Sequence, residues 1–140
     1  MKYFLFVTIF FIVSCQGKKI DIQRGIPVDL TKKTMTVPAT GKVVFLIKKE
    51  LRNAGWKLKI ADTTLEEKQT SATKKVTEVK FDTAYRLYIS RFGKHGQQTT
   101  VTIVENKSNE MVLEMYAMLW EHYEEVGFSK NVVKELQNKE

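Results

Sequence analysis

The chain has 140 residues, 43% of them apolar and 28% charged. That is the composition and length of one ordinary folded domain, and it excludes both wholesale disorder and a dependence on disulfide staples. The formal charge is +7, but the lysines are spread along the chain in short pairs such as Lys32-Lys33 and Lys74-Lys75, so they read as a solvated surface rather than a nucleic-acid footprint.

The chain opens on Met1-Lys2, continues with the apolar run Tyr3–Val13 and ends that run at Ser14-Cys15. A basic start, a short apolar stretch and a small residue before a cleavage point form a secretory signal. The run is well below the roughly 20 apolar residues that a spanning helix needs. Cys15 is the only cysteine, so an internal disulfide has no second partner.

Ile12-Val13-Ser14-Cys15 resembles the lipobox of bacterial lipoproteins. That resemblance implies cleavage between Ser14 and Cys15, and a lipidated Cys15 as the first residue of the mature protein. Losing residues 1–14 removes one lysine and leaves 22 basic against 16 acidic residues. Each buried methylene contributes about 0.8 kcal/mol, so two or three acyl chains on Cys15 would hold the protein firmly where one would hold it only marginally. Gln16 rather than aspartate follows the cysteine, which in enterobacterial lipoproteins resembles the pattern sent on to the outer membrane, facing the periplasm. Lys18 and Lys19 would then add about 1 kcal/mol each near anionic headgroups. No cofactor is expected beyond the covalent lipid.

Residues 15–33 contain few apolar positions and three backbone-directing residues, Gly17, Gly25 and Pro27, and read as a lipidated tether with a short strand near Ile20–Ile22. Residues 34–140 form the expected single domain. Thr34–Val37 favours a strand and is closed by Pro38. Thr40 is the expected N-cap of a helix carrying Val43, Val44, Ile47, Leu51 and Ala54 at helical spacing, with Gly55 as its stop. Trp56–Ile60 alternates as a half-buried strand does, and residues 62–77 are polar and read as a long loop.

Tyr85–Ser90 alternates again, with Tyr85, Leu87 and Ile89 on one face and Tyr88 opposite. Gly93–Gly96 is a turn by composition. Thr99–Val104 and Met111–Leu119 are two more strand-like runs, joined by the polar loop Glu105–Glu110, in which Asn109 suits a left-handed conformation. After Trp120 the pattern turns helical, and Ser129 is the expected cap of a short helix with Val132, Val133 and Leu136 on one face. The expected fold is α+β: a mixed or antiparallel sheet of about five strands with two helices packed on one face, in the order β-α-β-β-β-β-α.

The helix end Ala54-Gly55-Trp56, the strand Tyr85–Ile89 and the hairpin Asn106–Glu110 resemble small α/β envelope lipoprotein domains related to the curli-secretion channel lipoprotein. The resemblance implies topology and says nothing of activity.

Catalytic signatures are missing from the sequence. His95 lies in a turn, and His122 stands beside Glu121, Glu124 and Glu125 without a second histidine or cysteine at ligand spacing, so no metal site is expected. No nucleophile elbow or phosphate loop is present. The protein is therefore not expected to be an enzyme. Arg86 and Tyr88 on an open sheet face have the composition of a binding hot spot and are the candidate contact surface. The leading expectation is a lipid-anchored binding or accessory component of an envelope assembly, held to the membrane by its anchor and joined to a protein partner, with no nucleic-acid role. An immunity-type or inhibitor lipoprotein and a binder of cell-wall or lipopolysaccharide polyanions stay open beside it.

Overall fold

The computed structural model describes residues 19–61 and 82–138. The expected signal and lipobox, with Ser14 and Cys15, and the polar stretch 62–77 lie outside the described residues. Among the described residues eight elements follow one another: β1 (Asp21–Arg24), β2 (Thr34–Val37), α1 (Lys42–Asn53), β3 (Lys57–Ile60), β4 (Tyr85–Phe92), β5 (Gln98–Glu105), β6 (Met111–Met118) and α2 (His122–Gln137). The six strands form one mixed sheet in the order β1-β6-β5-β4-β2-β3. The α+β class and the order of its elements are as expected, and the sixth strand is β1.

The period-two pattern explains which side of the sheet is covered. Tyr85, Leu87, Val101, Ile103, Leu113 and Met115 alternate along β4, β5 and β6 and are almost wholly buried. They share one core with Val43, Ile47 and Leu51 of α1 and with Phe128, Val132 and Leu136 of α2. Each such side chain contributes about 1.5–3 kcal/mol on leaving water. Trp56 meets Tyr85 edge to face at 5.8 Å, which joins the exit of α1 to the start of β4.

The parallel part of the sheet needs a crossover, and α1 supplies it between β2 and β3. α1 starts one residue later than Thr40 would set: Gly41 occupies the N-cap with φ 125 and no side chain caps the helix. Thr40 therefore falls outside the capping position. The other end behaves as expected. The Gly55 N–H bonds to the Arg52 carbonyl and the Trp56 N–H to the Leu51 carbonyl, with Gly55 at φ 84, a Schellman close.

The last helix departs more from expectation. α2 begins at His122, a full two turns before the expected cap at Ser129. Glu121 and Glu124 form a reciprocal capping box, each side chain accepting a bond from the other's backbone N–H. Ser129 is buried inside the helix and donates its hydroxyl to the Glu125 carbonyl at 2.7 Å, the back-bond that a mid-helix serine makes.

At the other edge, β1 pairs antiparallel with β6, so the strand expected within the tether is built into the sheet. Beyond it Ile26, Val28 and Leu30 pack against the core, and the Asp29 N–H donates to the Tyr85 hydroxyl at 2.8 Å.

Candidate functional site

Arg86 and Tyr88 alternate with the buried Tyr85 and Leu87 and therefore stand on the face of the sheet opposite the helices. Strand register puts Arg86 beside Val104 and Tyr88 beside Thr102. The guanidinium lies 5.4 Å from the Tyr88 ring centroid, and its Nε donates to the Tyr88 hydroxyl. Its two terminal nitrogens reach the next hairpin: one donates to Asn106 Oδ1 at 2.8 Å and the other to Asn109 Oδ1.

The hairpin is shaped to receive them. Asn109 adopts φ 60, the left-handed conformation that asparagine tolerates, and its N–H closes on the Glu105 carbonyl. Asn106 donates its backbone N–H to the Ala84 carbonyl and its amide to the Thr83 carbonyl at 2.8 Å, which fixes the loop against the start of β4. Thr83 and Thr36 share a hydroxyl contact of 2.6 Å, so the network runs back to β2. The result is a polar and aromatic surface held in one conformation, able to present an arginine, a tyrosine and two amides to a partner.

The sequence reading brought Arg86 and Tyr88 together but missed Asn106 and Asn109 as their companions. The Asn109 conformation was legible from its residue type. Its meeting with Arg86 depends on the β4–β5 register, which residue types alone do not reveal.

A second cluster lies on the helix side. Glu125, in the first turns of α2 and nearly buried, accepts from Lys42 at 2.8 Å and from Arg91 at 3.1 Å, with His122 Nδ1 at 3.5 Å. Burial pushes the Glu125 carboxyl up, but hydrogen bonds from Lys42, Arg91 and His122 outweigh it and hold the carboxyl below its ordinary range. This group clamps the start of α1, the end of β4 and the start of α2 together. One signal for it was available: Glu125 precedes Phe128, Ser129 and Val132 on the inward stripe of the helix. Among the described residues, no three of His, Cys, Asp and Glu gather to hold a metal ion, and no helix is long and apolar enough to cross a membrane. His95 sits exposed in the Gly93–Gly96 turn, where its N–H meets the Gln97 side chain.

No protein-family model and no curated protein matches the chain. Solved structures do. The PelC dodecamer from Paraburkholderia phytofirmans is similar in fold at TM-score 0.52 and 14% identity, over 87% of this chain and 99% of that one. A leucine-to-methionine variant of that protein, also a dodecamer, is similar at TM-score 0.54 with the same identity and coverage.

Proposed function

We propose that the protein is a lipid-anchored accessory component of the bacterial envelope, acting by contact and self-assembly rather than by catalysis. The observation that carries the reading is the placing of its single cysteine, at the end of its apolar leader and six residues before the sheet begins at Asp21. Acylation there would tie a folded domain to a bilayer by a tether only a few residues long. The fold likeness to PelC dodecamers supports association of the chain with further copies of itself. The Arg86–Tyr88–Asn106–Asn109 surface supports contact with a second protein, because arginine and tyrosine dominate the energetics of interfaces.

The test is expression in a bacterium fed labelled palmitate. The parent chain takes up label and sediments with membranes, and Cys15→Ser loses both. A Cys15→Ser chain that stays with membranes and still carries palmitate sinks the anchoring. Light scattering on the detergent-solubilised protein reads the assembly: a mass several times that of one mature chain is expected. A monomer at every concentration tried overturns it. Cross-linking in intact envelopes reads the partner, whose adduct should be lost in Arg86→Ala and Tyr88→Ala.

A further inference from the structure

Large exposed apolar side chains collect at one end of the molecule. β4 ends at Phe92, which is 62% exposed; strand register sets it in one row with Gln98 and Met118 on the open face. β6 leaves the sheet at Met118 and is followed by Trp120, 56% exposed, and Tyr123, 71% exposed, at the start of α2. Lys42 pairs with Glu125 in the first turns of α2, so the start of α1, with Phe45 67% exposed, lies at the same end. Among the described residues only Ile22 and Ile60 are large, apolar and exposed elsewhere. Scattered single residues of this kind need no explanation, but a gathered set does.

The topology says what faces them. β1 runs antiparallel to β6 with Asp21 opposite Tyr116, so the chain comes into the sheet at the end where β6 leaves it. Met118 lies two residues beyond Tyr116, a step of about 7 Å. Cys15 precedes Asp21 by six residues, which reach at most about 20 Å whatever their conformation. An anchor on Cys15 is thus tied within that reach of the end that carries the rim.

Resting on the anchoring reading above, we propose that the rim of Phe45, Phe92, Met118, Trp120 and Tyr123 lies in the headgroup region of the bilayer that holds the anchor. Tryptophan and tyrosine favour that boundary because they carry an apolar body and a polar edge. The charges around the rim agree with it. Lys94 is exposed at this end, and Lys19 and Lys42, paired with Asp21 and Glu125, keep most of their side chains in solvent, where a lysine favours anionic headgroups. Of the nearby carboxylates, Glu125 is buried and clamped by cations, Glu124 accepts the N–H groups of Trp120 and Glu121, Asp21 is paired with Lys19, and the exposed Glu121 caps α2. The Arg86–Asn109 surface, at the far end of β4, then faces away from the membrane.

Trp120 and Trp56 are the only tryptophans, and Trp56 is buried, so fluorescence reads the rim directly. The mature lipoprotein carrying Trp56→Phe is placed in phosphatidylcholine–phosphatidylglycerol vesicles whose acyl chains carry bromine about 5–10 Å below the headgroups, the depth of interfacial apolar faces. Emission from Trp120 is expected to shift to the blue and to be quenched, whereas a Trp120→Phe chain, keeping Trp56 alone, is not quenched. Solvent-like, unquenched Trp120 emission from protein that floats with the vesicles overturns the proposal while leaving the anchor intact. Emission that is blue-shifted equally with and without vesicles places the rim against protein and also overturns it. If mass spectrometry finds no acyl group on Cys15, the anchoring reading fails; bromine quenching of that unacylated chain would still uphold the rim, and its absence would end both.

Discussion

Glu125 shows how one side chain can bind three elements. Its carboxylate receives Lys42 from α1 and Arg91 from β4, and it is itself part of α2. Glu125→Ala leaves both cations without that partner but close enough to solvent to rehydrate, so a loss of about 1–3 kcal/mol is expected in urea unfolding. The pH dependence follows from the direction of the shift. A carboxyl held below its ordinary range in the folded state contributes stability that is present above that range and lost as the pH falls through the folded value. The acid limb of the parent's stability curve should therefore be steeper than that of Glu125→Ala; coincident limbs would refute this role. Asn109, at φ 60, is the other decisive residue. Asn109→Val forces a β-branched side chain into the left-handed region and should cost about 1–2 kcal/mol, while Asn109→Gly keeps the turn and removes only the Arg86 contact. Equal unfolding midpoints for the two variants would contradict this.

At the scale of elements, β1 is the strand through which an anchor on Cys15 would join the domain. Its four residues are all exposed, and it is held by its ladder to β6 together with Arg24, which pairs with Glu135 of α2. The ladder continues past the strand through the N–H groups of Gly25 and Ile26, which bond to the carbonyls of Val112 and Met111 at 3.0 and 2.9 Å. Gly25 allows that approach: a Cβ there would stand 1.9 Å from the Met111 carbonyl oxygen, a backbone atom that cannot swing aside. Gly25→Ala should thus pry β1 from β6 at a cost of about 1–3 kcal/mol. Hydrogen exchange is expected to speed up at Gly25 and Ile26 while the α1 and α2 amides stay protected; unchanged exchange there would count against the argument.

Over the whole molecule, charge and topology act in the same direction. The excess of 22 basic over 16 acidic residues that remains without residues 1–14 is spread widely, so any attraction to anionic lipid would add up over many weak contacts. For the unacylated Cys15→Ser chain, binding to anionic vesicles should weaken strongly as salt rises and the Debye length shrinks to about 8 Å at physiological ionic strength. The fully acylated protein should stay bound, because hydrocarbon burial is not screened. Salt-independent binding of the unacylated chain would leave the lysines without a role at the membrane. The long hairpin β4–β5 separates the two surfaces of interest: the aromatic rim lies at the end that carries Phe92, and the Arg86 cluster lies at the end that begins with Tyr85.

Local chemistry was readable from residues alone. The strand of Tyr85 and Leu87, the Gly55 stop and the left-handed Asn109 each depend on neighbours a few positions away, as does the alternation that sets Tyr88 opposite Tyr85 and Leu87; the expected signal with its lone cysteine is a pattern of the same local kind. The capping box at Glu121 is equally local, yet the buried Ser129 mimicked a cap because serine serves both roles. What only the folded chain decided were the meetings of distant residues: Arg86 with Asn106 and Asn109, Glu125 with Lys42 and Arg91, and β1 with β6. These depend on strand order and register, which are set by the global burial of apolar faces rather than by any short run of sequence. The gathering of Phe92, Met118 and Trp120 is of the same kind, since their separation along the chain conceals that the end of β4, the end of β6 and the start of β1 share one end of the molecule.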